Sequence, residues 1–254
     1  MAARGAIYMV WGRDPKLRTA LERSIKSLEK TNPDLPYTVI ELEDLGAWHG
    51  LVQKAGMMER TPYAQTVFLD ADTVILGQLE FGFVKAAIHG LACCICESPW
   101  LKRYSPDFGD MVEYNTGVLF FTHEARNVFA TWQDLAGRVP SQIMLIGGTG
   151  EIVKMPFNDQ ASFSLAIEQT GISPYVLPMN WNYRPPWHYG YVGPIRIWHS
   201  YDEPPEDIIR TSNFYNNARS PLFQHHIPST PPFRPPEPRL AGQKGVTMNQ
   251  NKNG

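Results

Sequence analysis

The opening of the chain follows a strand–helix pattern. The run AIYMVW at residues 6–11 is apolar and rich in residues that favour strands, so it predicts a buried strand. Asp14 followed by Pro15 is typical of a helix N-terminus, because the carboxylate caps free N–H groups and proline fits the first turn. Four apolar residues then recur at helical spacing until an Asn-Pro pair ends the pattern: Leu17, Leu21, Ile25 and Leu28.

The same alternation continues along the chain. Apolar segments predict further strands at YTVIEL (37–42), QTVFLD (65–70), LACCIC (91–96), NTGVLFF (115–121), PYVLP (174–178) and IRIWHS (195–200). Helices are predicted at residues 49–59 and 124–136, and from the Asn158-Asp159 cap to residue 169. Residues 98–114 predict a loop, and residues 140–156 a flexible connection. This order predicts an α/β fold, with a mostly parallel central sheet and helices on both faces.

A change in composition near residue 229 indicates one boundary in the chain. Residues 1–228 carry the predicted strands and helices, so we interpret them as a single domain. Residues 229–254 are rich in proline and then polar, which predicts a disordered tail.

Charge and composition exclude several classes of protein. A net charge of −2 does not indicate a nucleic-acid-binding surface. No apolar run is long enough for a membrane span, and the first is too short for a signal peptide, so we expect a cytoplasmic protein without a transmembrane segment. Cys93, Cys94 and Cys96 have no further ligands at zinc spacing and are interpreted as reduced thiols in a buried strand, which favours a reducing compartment.

Two aspartates directly follow the apolar strand in the segment VFLDADTVI. Asp70 and Asp72 would repel one another there unless a cation lies between them or one is protonated. In a parallel sheet the ligand crevice lies outside the carboxyl ends of the strands, which is where both residues are predicted to lie. The pair is compatible with a Mg²⁺ or Mn²⁺ site, with a haloacid dehalogenase-type phosphatase, or with a plain surface turn.

The context of the pair disfavours the phosphatase. Its signature normally occupies the first strand of the domain, whereas here a strand, a long helix and another strand precede it. Thr73 stands where that pattern often has glycine, and no convincing lysine followed by an acidic pair occurs downstream.

Four segments occur in an order that resembles the glycosyltransferases of GT-A fold, most closely the family 8, glycogenin-like enzymes. They are the block from Lys54 through FLDADTVI, then NTGVLFF, NDQASF and IRIWHS. The resemblance covers most of the chain up to residue 200. It implies a hexosyltransferase-like enzyme that uses Mn²⁺ or Mg²⁺ and a nucleoside diphosphate sugar, with a UDP-sugar favoured. The acceptor, whether glycan, lipid, protein or small molecule, stays open.

The resemblance also implies residue roles. Asp70, Asp72 and His199 would bind the metal, and Lys54 would face the diphosphate. The nucleotide would contact Asp70 and Ala71, with its base and ribose over the first strand at Ile7, Tyr8 and Val10. Asp159 would bind sugar hydroxyls, Gln160 would lie near the anomeric carbon, and Asn115 would contact the donor sugar or the acceptor.

The chain departs from the family after His199. The family usually has a glycine and then a lysine that contacts the diphosphate, whereas this chain reads HSYDEPPEDIIR, in which Tyr201 or Arg210 could substitute. Retention of anomeric configuration therefore stays open. A retaining enzyme would use a front-face mechanism, whereas an inverting one needs a carboxylate base such as Asp159 or Asp110.

The aromatic segment and the overall function each have other possible interpretations. The aromatic segment WNYRPPWHYGY (181–191) could pack under the sheet or line a sugar-binding wall. A sugar-phosphate nucleotidyltransferase would need a glycine-rich loop after the first strand, where VWGRDPKL has one glycine. A non-catalytic sugar-nucleotide-binding protein would have no need of two repelling anions.

Removal of the tail tests the predicted domain boundary. A chain truncated after Pro228 should melt within about a degree or two of the full chain, because a proline-rich polar segment buries little apolar surface. A melting temperature lowered by many degrees in differential scanning fluorimetry would show that the tail packs on the domain.

Overall fold

The fold is built on one six-stranded sheet. The structure, a computed structural model, describes residues 2–97, 111–139, 144–146, 152–154, 158–185, 187–188, 190–217 and 225–226. The sheet has the order β2-β1-β3-β6-β5-β9, and five of its strands run in one direction while β6 runs against them. These strands are β1 (Ala2–Val10), β2 (Tyr37–Glu41), β3 (Tyr63–Leu69), β5 (Leu91–Ile95), β6 (Tyr114–Thr122) and β9 (Tyr175–Leu177).

The remaining strands form three short two-stranded sheets. The strands that pair are β4 (Thr73–Ile75) with β11 (Ile197–His199), β7 (Met144–Ile146) with β8 (Ile152–Lys154), and β10 (Tyr191–Val192) with β12 (His225–His226). The helices are α1 (Pro15–Thr31), α2 (Ala47–Lys54), α3 (Met57–Arg60), α4 (Glu80–His89), α5 (Arg126–Leu135), α6 (Asp159–Thr170) and α7 (Glu206–Asn217).

Helices cover both faces of the sheet because successive side chains of each strand point to opposite sides. Along β1, Ala6 and Tyr8 pack in a cluster with residues of α1 and α4. Ile7 and Met9 pack on the other face with residues of α5 and α6. Residues 6–10, 67–69 and 118–121 of the central strands are therefore apolar and buried, as expected for a sheet covered on both faces.

The helix ends follow from the local sequence. Asp14 caps α1 by accepting a hydrogen bond from the backbone N–H of Lys16 at 2.9 Å, and Pro15 occupies the first turn. Asn158 caps α6 by accepting from the N–H groups of Gln160 and Ala161 at 2.9 and 3.1 Å. Asn158 thereby fixes the start of α6, where Asp159 is the first residue.

The predicted α/β class, the sheet and the covering helices are confirmed. The helix predicted at 49–59 is instead two helices, α2 and α3, divided at Gly56, a poor helix former. Helices α4 and α7 were not predicted. On α4 the residues Phe83 and Ala86 are buried, but Phe81 and Ile88 are apolar and 43% and 67% exposed, so apolar residues in the sequence do not mark one face of the helix.

Two other predictions meet the structure only in part. The connection predicted as flexible at 140–156 contains the strands β7 and β8. Of the loop predicted at 98–114, residues 98–110 lie outside the described residues. The predicted tail at 229–254 also lies outside them.

The three cysteines are buried and free, as predicted. Burial raises the pKa of the Cys93 thiol well above its ordinary value, so this group stays protonated at neutral pH. Among the described residues, no helix combines the length and the apolar character that crossing a bilayer requires.

An aromatic cluster should account for much of the stability of the face that carries α6. Phe163 is fully buried, with its ring centroid 4.7 Å from that of Trp132. Phe163→Ala should lower the free energy of unfolding by about 3–5 kcal/mol, because it leaves a large cavity. Urea denaturation measures the loss, and Ile88→Ala, at an exposed position of α4, is the control, expected within about 0.5 kcal/mol of wild type. Equal losses for the two variants would contradict the core assignment.

Candidate active site

The acidic pair lies at the carboxyl end of β3, where the chain turns sharply into β4. The Thr73 hydroxyl donates to the backbone carbonyl of Asp70 at 2.8 Å, and the Thr73 N–H contacts the same oxygen at 3.2 Å. This turn brings the side chains of Asp70 and Asp72 to one side. The strand end predicted from the sequence therefore places both carboxylates in the crevice at the sheet edge.

His199 reaches the pair through the short sheet of β4 and β11. In the antiparallel register His199 lies opposite Thr73, directly after the two aspartates. Its Nε2 atom lies 3.2 Å from Oδ1 of Asp72 and 3.7 Å from Oδ2 of Asp70. Residues more than 120 positions apart in the sequence thus form one cluster.

The cluster fits a divalent cation. One ligand atom from each of Asp70, Asp72 and His199 can be chosen so that all three lie within 4.8 Å of one another. In an octahedral site with bonds of about 2.1 Å, neighbouring ligand atoms lie about 3 Å apart, close to the separations found here. Two carboxylates and an imidazole are ligands that suit Mn²⁺ and Mg²⁺.

Lys54 lies behind the acidic pair and is 3% exposed. Its Nζ atom contacts the carboxylates of Asp70 at 2.9 Å and Asp159 at 3.2 Å, and the hydroxyl of Thr116 at 3.4 Å. The Thr116 hydroxyl in turn donates to Asp159 at 2.7 Å. Lys54 therefore joins the end of β3 to the start of α6 by charge.

Two ionisable groups of the site have shifted pKa values. Burial lowers the pKa of Lys54, but Asp70 and Asp159 outweigh burial, and the pKa is raised above that of an ordinary lysine. Burial raises the pKa of Asp72, but the adjacent His199 outweighs it and lowers the pKa to about 2. Both groups are thus held in their charged forms at neutral pH.

Strand β6 contributes three consecutive residues to the site. Thr116 faces Lys54 and Asp159, whereas its neighbours Asn115 and Gly117 face the side of His199. The alternation of a strand explains this division. The Gly117 carbonyl also accepts a hydrogen bond from the Asp70 N–H at 2.8 Å, which fixes the turn after β3 to β6.

These residues line a cavity of about 540 Å³, large enough for a small ligand. Eight of the residues singled out in the sequence lie in its wall: Lys54, Asp70, Ala71, Asp72, Asn115, Asp159, Gln160 and His199. Four elements and one turn supply them, namely α2, the turn between β3 and β4, β6, α6 and β11, so the fold brings together residues that are distant in the sequence.

Three of the expected nucleotide contacts lie elsewhere. The side chains of Ile7, Tyr8 and Val10 are completely buried in the two core clusters and do not line the cavity. The residues of this region that do line it are Met9, Trp11, Gly12 and Arg13. The end of β1 and the turn that follows it therefore reach the cavity, whereas the side chains of Ile7, Tyr8 and Val10 do not.

The structure distinguishes the two residues considered after His199. Tyr201 lines the cavity, whereas Arg210 does not. Burial and the nearby carboxylates, Asp72 first among them, raise the pKa of Tyr201 to about 12, so it is a neutral hydroxyl at physiological pH. The Lys16 ammonium lies 4.5 Å from the centre of the Tyr201 ring.

The aromatic segment divides between core and surface. Trp181 and Tyr183 are 6% exposed and pack in the core, whereas Trp187 is 38% exposed, and Tyr189 lies outside the described residues. Arg184 from the same segment lines the cavity and forms an ion pair with Glu97. No sequence signal singled out Arg184, because its role depends on a partner 87 residues away.

Comparisons with known proteins identify the fold. No protein-family model and no curated protein sequence matches the chain. The apo crystal structure of mouse xyloside xylosyltransferase 1 matches 80% of this chain and all of that chain, with a TM-score of 0.56 and 12% identity. The glycosyltransferase GlyE of Streptococcus pneumoniae TIGR4 matches 86% of this chain and 61% of that chain, with a TM-score of 0.52 and 14% identity. The chain has the GT-A glycosyltransferase fold, which confirms the resemblance at the level of fold.

The ion pairs of Lys54 generate a prediction about stability. Lys54→Met leaves Asp70 and Asp159 without their buried counter-charge, so the free energy of unfolding should fall by about 3–5 kcal/mol. The double variant Lys54→Met/Asp159→Asn should recover part of the loss, since one carboxylate is then neutral. Denaturation without added metal measures both variants. Lys30→Met, at an exposed position of α1, is the control, and a loss no larger than in this control would contradict the assigned role.

Proposed function

We propose that the chain transfers a sugar from a nucleoside diphosphate sugar, with a UDP-sugar favoured, to an acceptor, and that it depends on Mn²⁺ or Mg²⁺. The observation that carries the proposal is the cluster of Asp70, Asp72 and His199 at the carboxyl end of β3. Its position in a glycosyltransferase fold and in the wall of a ligand-sized cavity supports this function.

The charge of the cavity supports a bound cation. Of the residues that line it, five are carboxylates and three are cations. The carboxylates are Asp14, Asp44, Asp70, Asp72 and Asp159, and the cations are Arg13, Lys54 and Arg184. Lys54 and Arg184 already form ion pairs with carboxylates. A diphosphate would therefore meet net negative charge unless a divalent ion compensated for it.

The proposed donor site runs from the end of β1 to the acidic cluster. The base and ribose would lie near Met9, Trp11 and Arg13, and the diphosphate near Asp70 and Lys54. When bound, the divalent ion would supply Lewis acidity that stabilises the charge on the departing diphosphate. Lys54 would add positive potential from beneath the cluster, because its ammonium is buried and fixed.

The sugar would lie against the start of α6 and β6. Oδ2 of Asp159 is engaged by Lys54 and Thr116, so Oδ1 is the atom proposed to accept hydrogen bonds from sugar hydroxyls. Gln160 is proposed to lie near the anomeric carbon, and its buried Oε1 atom has no hydrogen-bond partner among the described residues. Asn115 is proposed to contribute its amide group to the donor sugar or the acceptor.

This arrangement favours retention of configuration within the proposal. An inverting enzyme needs a carboxylate base for the acceptor hydroxyl; Oδ2 of Asp159 is already engaged by Lys54 and Thr116, and the other candidate, Asp110, lies outside the described residues. The amide of Gln160 is a weak nucleophile, which disfavours a covalent intermediate. A front-face reaction, in which the departing phosphate takes the proton from the acceptor hydroxyl, is consistent with both features.

A panel of donors tests the function directly. The purified protein is incubated with UDP-, GDP-, ADP- and TDP-sugars and Mn²⁺, and release of nucleoside diphosphate is measured. We expect slow, metal-dependent hydrolysis of one donor class without an acceptor, and loss of hydrolysis when EDTA removes the metal. Tight binding without turnover would instead indicate a non-catalytic sugar-nucleotide-binding protein.

Asp72→Asn tests whether the acidic pair serves a cation. The substitution keeps the shape of the side chain but removes one proposed ligand charge. Mn²⁺ with nucleoside diphosphate should stabilise the wild type by about 2.7 kcal/mol at a hundredfold excess over the dissociation constant. Asp72→Asn should show little of this gain in thermal melting, whereas the control Asp134→Asn, at an exposed position of α5, should show all of it. Equal stabilisation of Asp72→Asn and wild type would refute the metal assignment.

A further inference from the structure

We propose that Asn182 is a positioning residue, held by Asn115, that orients the imidazole of His199 and keeps the proton of the neutral ring on Nδ1, so that Nε2 is the nitrogen available to a cation beside Asp70 and Asp72. This inference rests on the proposed metal-dependent function, because the fixed Nε2 lone pair is what a cation would need. It assigns a role to a residue within the core that no sequence motif indicated.

A chain of hydrogen bonds with a defined direction links Gly117 to His199. The backbone N–H of Gly117 can only donate, and it donates to Oδ1 of Asn115 at 2.8 Å. The same Oδ1 atom lies 2.7 Å from Nδ2 of Asn182, so Asn182 donates its amide hydrogen there. The side-chain oxygen of Asn182 therefore points the other way.

The side-chain oxygen of Asn182 determines the tautomer of the neutral His199 ring. Oδ1 of Asn182 lies 2.7 Å from Nδ1 of His199. A carboxamide oxygen only accepts hydrogen bonds, so Nδ1 carries the proton. In the neutral imidazole Nε2 is then unprotonated, and this is the atom that faces the carboxylates at 3.2 and 3.7 Å.

Burial makes this orientation a property of the fold. Asn115 and Asn182 are 3% and 2% exposed, so water has little access to the hydrogen bond between them. Backbone hydrogen bonds also hold the segments of Asn182 and His199 together. The Tyr183 N–H donates to the carbonyl of Ile197 at 2.9 Å, and the His199 N–H donates to the carbonyl of Tyr183 at 2.8 Å. A shift of Asn182 away from His199 would break these bonds.

Gly117 provides the space that the imidazole occupies. A Cβ atom at this position would lie 2.3 Å from Cε1 of His199 and 2.8 Å from Oδ2 of Asp70. Any side chain at Gly117 would therefore displace the ring or the carboxylate. The segment Asn115-Thr116-Gly117 thus supports both halves of the site, since Thr116 contacts Lys54 and Asp159 on the opposite side of the strand.

The orientation has a chemical consequence. In the other neutral tautomer an N–H group would point at the acidic pair, and Nε2 could not bind a cation. Partners that hold the second nitrogen of a histidine ligand typically change metal affinity by 10–100-fold when they are removed. Loss of the Asn182 amide should therefore weaken metal binding without removing any proposed ligand.

The experiment compares Asn182→Leu with Asn180→Leu. Asn180 is a matched control from the same segment: it is 9% exposed, and its side chain bonds the carbonyl of Pro194 at 2.6 Å, away from His199. Mn²⁺ affinity is measured by electron paramagnetic resonance of the free ion, and the His199 tautomer by ¹⁵N NMR of the metal-free protein with the imidazole neutral.

The wild type should show the proton on Nδ1 and one Mn²⁺ site. Asn182→Leu should raise the Mn²⁺ dissociation constant about tenfold or more and give a mixture of tautomers. Asn180→Leu should keep the wild-type tautomer and affinity even if it melts at a lower temperature. Gly117→Ala should weaken Mn²⁺ binding by displacing the ring.

Several results would overturn the inference. A wild-type spectrum with the proton on Nε2 would do so even if Asn182→Leu failed to fold. Asn182→Leu with wild-type tautomer and affinity would reduce Asn182 to a core residue, and equal effects of Asn182→Leu and Asn180→Leu would show a general structural defect. A wild type that binds no Mn²⁺ but has the proton on Nδ1 would contradict the proposed function and leave the tautomer assignment standing.

Discussion

The candidate site depends on the buried ammonium group of Lys54. Three carboxylates, those of Asp70, Asp72 and Asp159, converge where one strand ends and one helix begins, and their mutual repulsion would oppose this packing. Lys54 compensates two of them directly. Because it is held by charge on both sides, it also fixes the distance between the acidic pair and the start of α6. The remaining negative charge is what makes the cavity suited to a divalent cation.

The single antiparallel strand of the sheet gives this site its two halves. β6 lies next to β3 but runs the other way, so its first residues, rather than its last, lie beside Asp70. Asn115 and Gly117 then face His199, whereas Thr116 faces Lys54. Three consecutive residues of one strand therefore contribute to both halves of the site: the proposed metal half around His199 and the proposed sugar half around Asp159. A shift of β6 by one residue would exchange the two faces and dismantle both.

Local sequence was enough for most of the framework. Apolar runs identified the main strands, and side-chain caps identified the starts of α1 and α6, because both signals act between residues close in the chain. Helix α4 was missed because its exposed apolar residues blur the helical pattern. The acidic pair was recognised because two carboxylates directly after a buried apolar strand repel one another and need a compensating charge. Ile7, Tyr8 and Val10 were expected at the nucleotide, but their alternation in β1 placed them in the core.

The sequence by itself determined the α/β class, the crevice at the end of β3 and the residue types available for a cation, because these follow from periodicity and from charges next to apolar runs. Only the tertiary structure decided which of those residues meet. The β4–β11 pairing brings His199 to Asp72, the Lys54 ammonium joins β3 to α6, and Asn182 reaches His199 through the core. Each of these contacts joins distant parts of the chain. Such contacts depend on strand register and burial, which no local pattern of residues contains.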